Sequence, residues 1–481
     1  MLPEKVRKDV LAAITPSQEE LDLQANIIIQ LSDVLRQRAD TENFKYSFIE
    51  AEGSTGKKQT QLKGAADIDL FVALNPREYP GIEDQKVVDA LMSKLVSKWF
   101  EPAVRDLHVT DVQRAFSQHP FLSLKMNGID VDILGCFDLD AEKLAEKGPI
   151  TAVDRTIHHT HYIAERMNTR KREDARILKS FVRACHAYGD TCAVGRMGLT
   201  GVTLEIIVLT KPNLASAFKA LHNLDSDPID PQGRSLEDLK KVPAFRDDML
   251  FLIDPTDHSR NMAASFSDRS FRWTKNRIVN LKAQLNEGDP YSITRLLIEA
   301  PISSEDLPSE IHNHAFVQEF EASGKIHYTI IRDKLHRLAR KAKQEMSIER
   351  TGEPRFGEIL TEVYFKGKRY ALGLFVEIPT ITATFDRRGP PVTRKEAAGK
   401  FREAHPSGVF EKDGYLYFRE KRKWKRASKL FESVMKKNTI KGLEIQKEKT
   451  NLGNQVLRVL YDFILPIEPT FAERMTRVKD E

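Results

Sequence analysis

Two short apolar runs carry aspartates at alternate positions: ADIDLFVAL, residues 66–74, and GIDVDILGCF, residues 128–137. Aspartate is depleted in strands, yet the alternation in both runs is that of a strand with one packed face. In the first, Asp67, Asp69 and Phe71 share one face and Ile68, Leu70 and Val72 the other. In the second, Asp130 and Asp132 oppose Ile129, Val131 and Ile133. Carboxylates at i and i+2 of a strand stand about 6 to 7 Å apart and point the same way. Ionised together on a half-buried face they repel, and they need a strong positive charge nearby. Divalent cations supply it, and two of them about 4 Å apart suit carboxylates projecting from one strand face. Mg²⁺ takes oxygen ligands and keeps some of its water, so a few carboxylates suffice. A second strand paired beside the first adds a third carboxylate. Upstream, the turn at Gly53-Ser54 offers backbone N–H groups, the Ser54 hydroxyl and lysines to a phosphate.

The surrounding pattern predicts a sheet with helices. SQEELDLQANIIIQLSDVLRQRAD, from Ser17, has helical spacing, with Ser17 and Glu20 placed for a capping box. KYSFIEAEGS reads as a short strand, and QKVVDALMSKLVSKWF as a helix. FLSLKM and GIDVDILGCF read as strands joined by the turn Asn127-Gly128. From about residue 150 the chain turns helical, at REDARILKSFVRACHAYG and LTGVTLEIIVLTKPNLASAFKALHNL. Beyond about residue 270, IHYTIIRDKLHRLARKAKQE reads as a strand running into a basic helix. RYALGLFVEIPTITATF reads as strand, DRRGPPV as a breaker, and YLYFREKRKWKRASKLFESVMKK as helical.

Composition narrows the class. The 481 residues suffice for two to four domains, and 41% hydrophobic with 30% charged residues is a globular balance, not a disordered one. No apolar run approaches the length of a membrane helix, and the N-terminus lacks the apolar core of a signal peptide. Three cysteines without metal-type spacing point to a reducing cytoplasm and against a cysteine zinc site. A net charge of +5 permits a nucleic-acid partner without requiring one.

G-S, then D-I-D, then a later strand bearing D-V-D resembles the head of the nucleotidyltransferase superfamily. ITAVDRTIHHTHYI, LKSFVRACHAYG, RMGLTGVTLEIIV and DPTDHSRNMAASFS narrow the resemblance to the archaeal-type (class I) CCA-adding enzymes, the tRNA nucleotidyltransferases. It runs in order to about residue 270 and continues more weakly to FDRRGPPVTRKEAAGKF. The resemblance implies a multidomain α+β chain: a nucleotidyltransferase head with a small mixed sheet over 1–149, a helical neck over 150–270, and an α/β body with a mainly helical tail over 271–481. It implies addition of C, C and A to tRNA 3′ ends from CTP and ATP, without a nucleic-acid template, with two Mg²⁺ ions and release of pyrophosphate. tRNA, ATP and CTP are then the partners, in the cytoplasm, with a homodimer as one admissible assembly. The alternatives are another RNA-tailing enzyme of the poly(A) polymerase kind, or an RNA-binding protein with an inactive head.

Position by position, the resemblance assigns Asp67 and Asp69 as metal ligands and Asp132, rather than Asp130, as the third catalytic carboxylate. Ser54 falls on the triphosphate-binding serine. His159, Lys179 and Tyr188 fall on contacts to sugar and phosphates, and Arg260 and Asn261 on contacts to the incoming base. The loop GSTGKKQT departs from the family pattern: it is one residue longer, and Lys57 and Lys58 replace an arginine. Lys57 is placed with the nucleotide contacts, although lysine lacks the arginine fork. His158, His159 and His161 match no standard zinc spacing, so one nucleotide-facing histidine with two structural neighbours is expected. Lys179 and Tyr188 would lie on opposite sides of one continuous helix, so the helix should end before Tyr188, with Gly189 as terminator. Distal basic stretches, Arg332 to Lys343 (with Arg337 and Arg340) and Lys421 to Arg426 (with Lys423, Lys425 and Arg426), suit RNA phosphates.

Overall fold

The computed structural model describes residues 2–116, 119–323, 326–448 and 450–477. The chain divides into two compact units, Met1–Asp190 with Met197–Ala300, and Thr191–Arg196 with Pro301–Glu481.

In the first unit, strands β1 (Phe48–Glu52), β2 (Asp67–Leu74), β3 (Val109–Phe116), β4 (Pro120–Met126) and β5 (Ile129–Phe137) form one sheet in the order β1-β2-β5-β4-β3. The sheet is mixed: β2 and β5 are parallel, and the other pairs are antiparallel. The alternation read from the sequence decides which face is buried. Ile68, Leu70, Val72, Val131 and Ile133 lie in one core with Ile27, Leu31 and Leu35 of the helix Gln18–Glu42 and with Trp99. That helix starts with the expected capping box, in which the Glu20 N–H donates to Ser17 Oγ and the Ser17 N–H to Glu20 Oε2. The turn between β4 and β5 has φ 52° at Asn127 and 82° at Gly128, the paired left-handed conformations that Asn-Gly favours.

Helices Asp154–Arg166, Thr169–Ala184, Gly201–Thr210, Leu214–His222 and Asp268–Glu287 make up much of the rest of this unit. The run from Leu199 to Leu224 is two helices, because Pro212 cannot continue the first and the Asn213 side chain caps the second through the Ser216 N–H. The helix Thr169–Ala184 ends at Cys185, followed by His186 at φ 50°. It therefore stops before Tyr188, as expected, but earlier than Gly189.

In the second unit, β6 (Ala315–Ala322), β7 (Ile359–Lys366), β8 (Arg369–Val376) and a short late strand, Leu443–Ile445, form an antiparallel sheet packed on the helices Tyr328–Ser347 and Ala427–Lys437. A second sheet holds β9 (Thr384–Pro391), β10 (Val409–Lys412) and β11 (Tyr415–Lys421), ordered β10-β11-β9.

Three local readings change here. Residues 328–331 are the start of a helix, not a strand. YLYFREK is strand β11, and the helix begins only at Ala427. The overlooked signal is Asp413-Gly414, both at positive φ, which closes a hairpin between β10 and β11. DRRGPPV is not a break: most of it lies in β9, an edge strand, where proline is tolerated. All three cysteines are buried. Among the described residues no helix is long and apolar enough to cross a membrane.

Candidate active site

The parallel register of β2 and β5 sets Asp67 beside Asp130 and Asp69 beside Asp132. Antiparallel neighbours extend both rows, with Glu52 beside Asp69, Ser123 beside Asp132 and Lys125 beside Asp130. Residues directly opposite share a face, so Asp67, Asp69, Asp132 and Glu52 converge on one side of the sheet. The two candidates on β5 have different surroundings. Asp130 is exposed and lies 3.4 Å from Lys125 Nζ. Asp132 is half-buried in the row that contains Asp69.

The electrostatics of this face are those of carboxylates short of positive charge. Burial, reinforced by Asp67 and Asp132, pushes Asp69 up to about 7. Asp132 is raised by burial, with the Ser123 hydroxyl opposing. Asp67 keeps an open edge to solvent, yet the protein packed around it still raises its carboxyl, against the pull of Lys179. Glu52 is fully buried, and among the described residues neither of its oxygens has a hydrogen-bond partner. Burial raises it to about 7. Hard oxygen donors under this mutual repulsion suit a divalent cation. No motif in the sequence marks Glu52; its signal is the strand register, since the residue before Gly53 falls opposite Asp69.

The loop after β1 is shaped to approach this face. Gly53 has φ 68°, and a Cβ there would lie 2.8 Å from Asp69 Oδ2, so both conformation and space select glycine. A Cβ on Gly56 would sit 2.1 Å from the Ala51 carbonyl oxygen. Thr55 Oγ1 donates to the Asp67 carbonyl at 2.7 Å and ties the loop to the start of β2. Ser54 accepts the Thr60 N–H at its carbonyl, at 3.0 Å, which closes the loop. The two loop lysines part company. Lys57 Nζ lies 2.5 Å from Glu50 and 3.2 Å from His161. Lys58 turns inward to Glu205 at 3.0 Å. Glu50, Glu52 and His161 offer ligand atoms within 4.8 Å of one another, but the Lys57 ammonium already supplies a positive charge there.

Lys179 is buried, with Nζ 2.5 Å from Glu205 Oε1 and 2.9 Å from Thr60 Oγ1. It comes close to Tyr188: a Cβ on Gly201 would lie 2.6 Å from Tyr188 Oη and 3.4 Å from Lys179 Nζ. The three histidines point three ways. His158 meets the Leu139 carbonyl, His159 Nε2 lies 2.6 Å from Asp254 Oδ2, and His161 reaches Lys57. Asp254 is also 3.4 Å from Arg260 Nη1, so His159 and Arg260 meet at one carboxylate. Burial pushes that carboxyl up, but the His159 and Thr256 hydrogen bonds prevail and hold it at about 2.

Arg260 remains partly exposed. The Asn261 side chain is engaged within the protein, donating to Leu250 O and Asp248 and accepting from the Leu252 and Ala263 N–H groups. It braces the loop that carries Arg260. Arg155, of the AVDRT segment, pairs with Asp257 at 2.6 Å, and Asp154 accepts from the N–H groups of Phe137, Ile150 and Thr151. These bonds fasten the helix Asp154–Arg166 to the end of β5.

In the second unit Arg337 and Arg340 are exposed on the helix Tyr328–Ser347, whereas Arg332 in the same basic stretch is buried. Lys423, Lys425 and Arg426 are exposed on the loop before Ala427, with Lys423 Nζ 5.5 Å from the centre of the Trp424 ring.

Residues 173–285 match the family described as tRNA nucleotidyltransferase, second domain. A "CCA-adding enzyme" of Methanocaldococcus jannaschii is 26% identical over 451 residues, which is 90% of this chain and 91% of that one. One from Pyrobaculum islandicum is 31% identical over 268 residues, 55% of this chain and 57% of that one. Among solved structures, E. coli MS115-1 CdnC with ATP superposes with a TM-score of 0.45 at 12% identity, over 62% of this chain and 98% of that one. The chain is similar to an archaeal-type CCA-adding enzyme over 90% of its length, and its residues 173–285 match a tRNA nucleotidyltransferase domain.

Proposed function

We propose that this chain adds C, C and A to the 3′ end of tRNA from CTP and ATP, at the face bearing Asp67, Asp69 and Asp132. The observation that carries the reading is the parallel register that puts Asp132 beside Asp69 and leaves both short of positive charge. These three carboxylates would hold two Mg²⁺ ions, which supply charge stabilisation at the reacting phosphate and activation of the RNA 3′-hydroxyl. The chain's own groups do the rest. The Gly53-Ser54 turn, with its lysines, receives the triphosphate. Lys179, Tyr188 and His159 fix the phosphates and sugar. Asp254 holds His159 and Arg260 together, so the sugar side and the base side of the site are positioned by one carboxylate. Arg260, braced by Asn261, offers planar donors to the incoming base. Neither Asp69 nor Asp132 moves far to act, since both stand on strands.

The test is incorporation. The purified chain is incubated with Mg²⁺, a tRNA that lacks its last three nucleotides, and each NTP in turn. The expected result is addition of C, C and A, with a stop, and no use of UTP or GTP. A growing run of A would instead favour the poly(A) polymerase reading, and no incorporation at all would favour an RNA-binding protein with an inactive head.

RNA is proposed to be held by shape and phosphate contacts on the second unit, through Arg337, Arg340, Lys423, Lys425 and Arg426. Replacing Lys423, Lys425 and Arg426 together with alanine should raise KM for tRNA and leave KM for CTP and ATP unchanged. Every phosphate interaction that the substitutions remove should flatten the dependence of log K on log salt by roughly 0.7 to 0.9. Filter binding across a salt series reads this slope, and an unaltered slope would reduce the patch to a solvated surface.

A further inference from the structure

Two lysines of the first unit are almost wholly buried, Lys58 at 4% exposure and Lys179 at 1%. They come from distant parts of the chain, one from the loop after β1 and the other from the helix Thr169–Ala184. Both have the same ion-pair partner. Lys179 Nζ lies 2.5 Å from Glu205 Oε1, and Lys58 Nζ lies 3.0 Å from Oε2. Thr60 completes the unit: its hydroxyl donates to Glu205 Oε1 and accepts from Lys179. Glu205 and Thr60 are both fully buried.

The charges do not balance. One carboxylate stands between two ammonium groups, leaving one positive charge in surplus in a dry place. Unpaired buried charge is costly, and proteins keep it where a counter-charge arrives. The surplus stands beside the carboxylate strand, for the loop that carries Lys58 and Thr60 is tied by Thr55 to the Asp67 carbonyl and closed by the Thr60 N–H on the Ser54 carbonyl. Lysine also needs more help than arginine here. It is a point charge on a flexible stem, with no fork to orient it, and this loop carries lysines. Glu205 supplies the missing orientation from a helix whose first residue, Gly201, leaves the space that Tyr188 and Lys179 fill.

We infer that Glu205 is a positioning residue for nucleotide binding: it fixes Lys58 and Lys179 side by side so that their surplus positive charge meets the triphosphate of the incoming CTP or ATP. The inference rests on the nucleotidyl-transfer reading above. It also separates the loop lysines, since Lys58 shares the Glu205 anchor with Lys179 and Lys57 does not. Glu205 does not touch the reacting atoms.

The experiment compares wild type, Glu205→Gln, Glu205→Asp and Thr60→Val by steady-state kinetics with tRNA, CTP and ATP, at matched folded fraction from circular dichroism. Glu205→Gln keeps the size and loses the charge. It should raise KM for CTP and ATP tenfold or more and leave KM for tRNA within twofold. Glu205→Asp, which keeps the charge on a shorter stem, should recover part of the loss. Thr60→Val, which removes one hydroxyl and no charge, should shift the same KM values three- to tenfold, and it carries the test if the Gln variant does not fold. A purely structural Glu205 would instead lower kcat with the folded fraction and leave nucleotide KM unchanged, and that result overturns the inference. Wild type that adds no nucleotide would overturn the functional reading itself; active wild type beside variants of unchanged nucleotide KM overturns this inference alone.

Discussion

Asp69→Asn should lower nucleotide addition by roughly 10³-fold or more while making the metal-free protein more stable at pH 8. The first effect follows from losing charge stabilisation at the phosphoryl group. The second follows from linkage. In the fold the Asp69 carboxyl sits at about 7, against about 4 for an unfolded aspartate. Below pH 4 both states hold the proton. Between about 4 and 7 the unfolded chain gives it up while the fold retains it, so stability falls as pH rises through this window and stays low above it. Asparagine has nothing to lose. Thermal melts in EDTA should therefore agree at pH 4 and favour the variant at pH 8, and Mg²⁺ should raise the Tm of wild type more than that of the variant. A variant active at the wild-type rate, or one whose melting follows pH as wild type does, would remove Asp69 from the site.

Asp132→Ala and Asp130→Ala should differ by orders of magnitude although the residues are two apart on one strand face. Asp132 pairs in register with Asp69 and faces Ser123, whereas Asp130 is exposed and sits by Lys125. Loss of Asp132 should cost roughly 10³-fold in rate, as for a group that supports the transition state directly. Loss of Asp130 should stay within about threefold, as for an exposed ion pair. Single-turnover rates on the same tRNA decide it. Equal losses, or the reverse order, would move the third carboxylate two residues back along β5.

The carboxylate strands were legible because the strand period is two and aspartate marks one parity. The β4–β5 hairpin was legible because Asn-Gly suits its turn. What periodicity could not supply was the neighbour of β2. Asp130 and Asp132 share a face, so only the long-range pairing of β2 with β5 separates their surroundings, and the resemblance had to choose between them. Glu205 was illegible for the opposite reason. LTGVTLEIIVLT is apolar around most of its circumference, and a single acid in such a helix reads as one polar edge. Only the arrival of Lys58 and Lys179 from elsewhere shows what it balances. The hairpin β10–β11 was missed although Asp413-Gly414 announced it, because the basic run that follows drew the helical reading forward.

The anchoring of the loop between Gly53 and Thr60 bears on how such a chain tolerates changes in length. Its ends are set by a glycine against Asp69 and by Thr55 on the Asp67 carbonyl, and its far side by Lys58 and Thr60 on Glu205. Side chains hold it at several points, so an added residue between the anchors can bulge outward without moving Asp67 or Asp69. Strand β5 has no such slack. A single residue inserted between Gly128 and Asp132 would shift the parity of one stretch against the other, turning aspartates into the core and isoleucines onto the carboxylate face. Descendants of this sequence can therefore vary the length of this loop between its anchors, while the spacing within Ile129–Asp132 is closed to insertion and deletion.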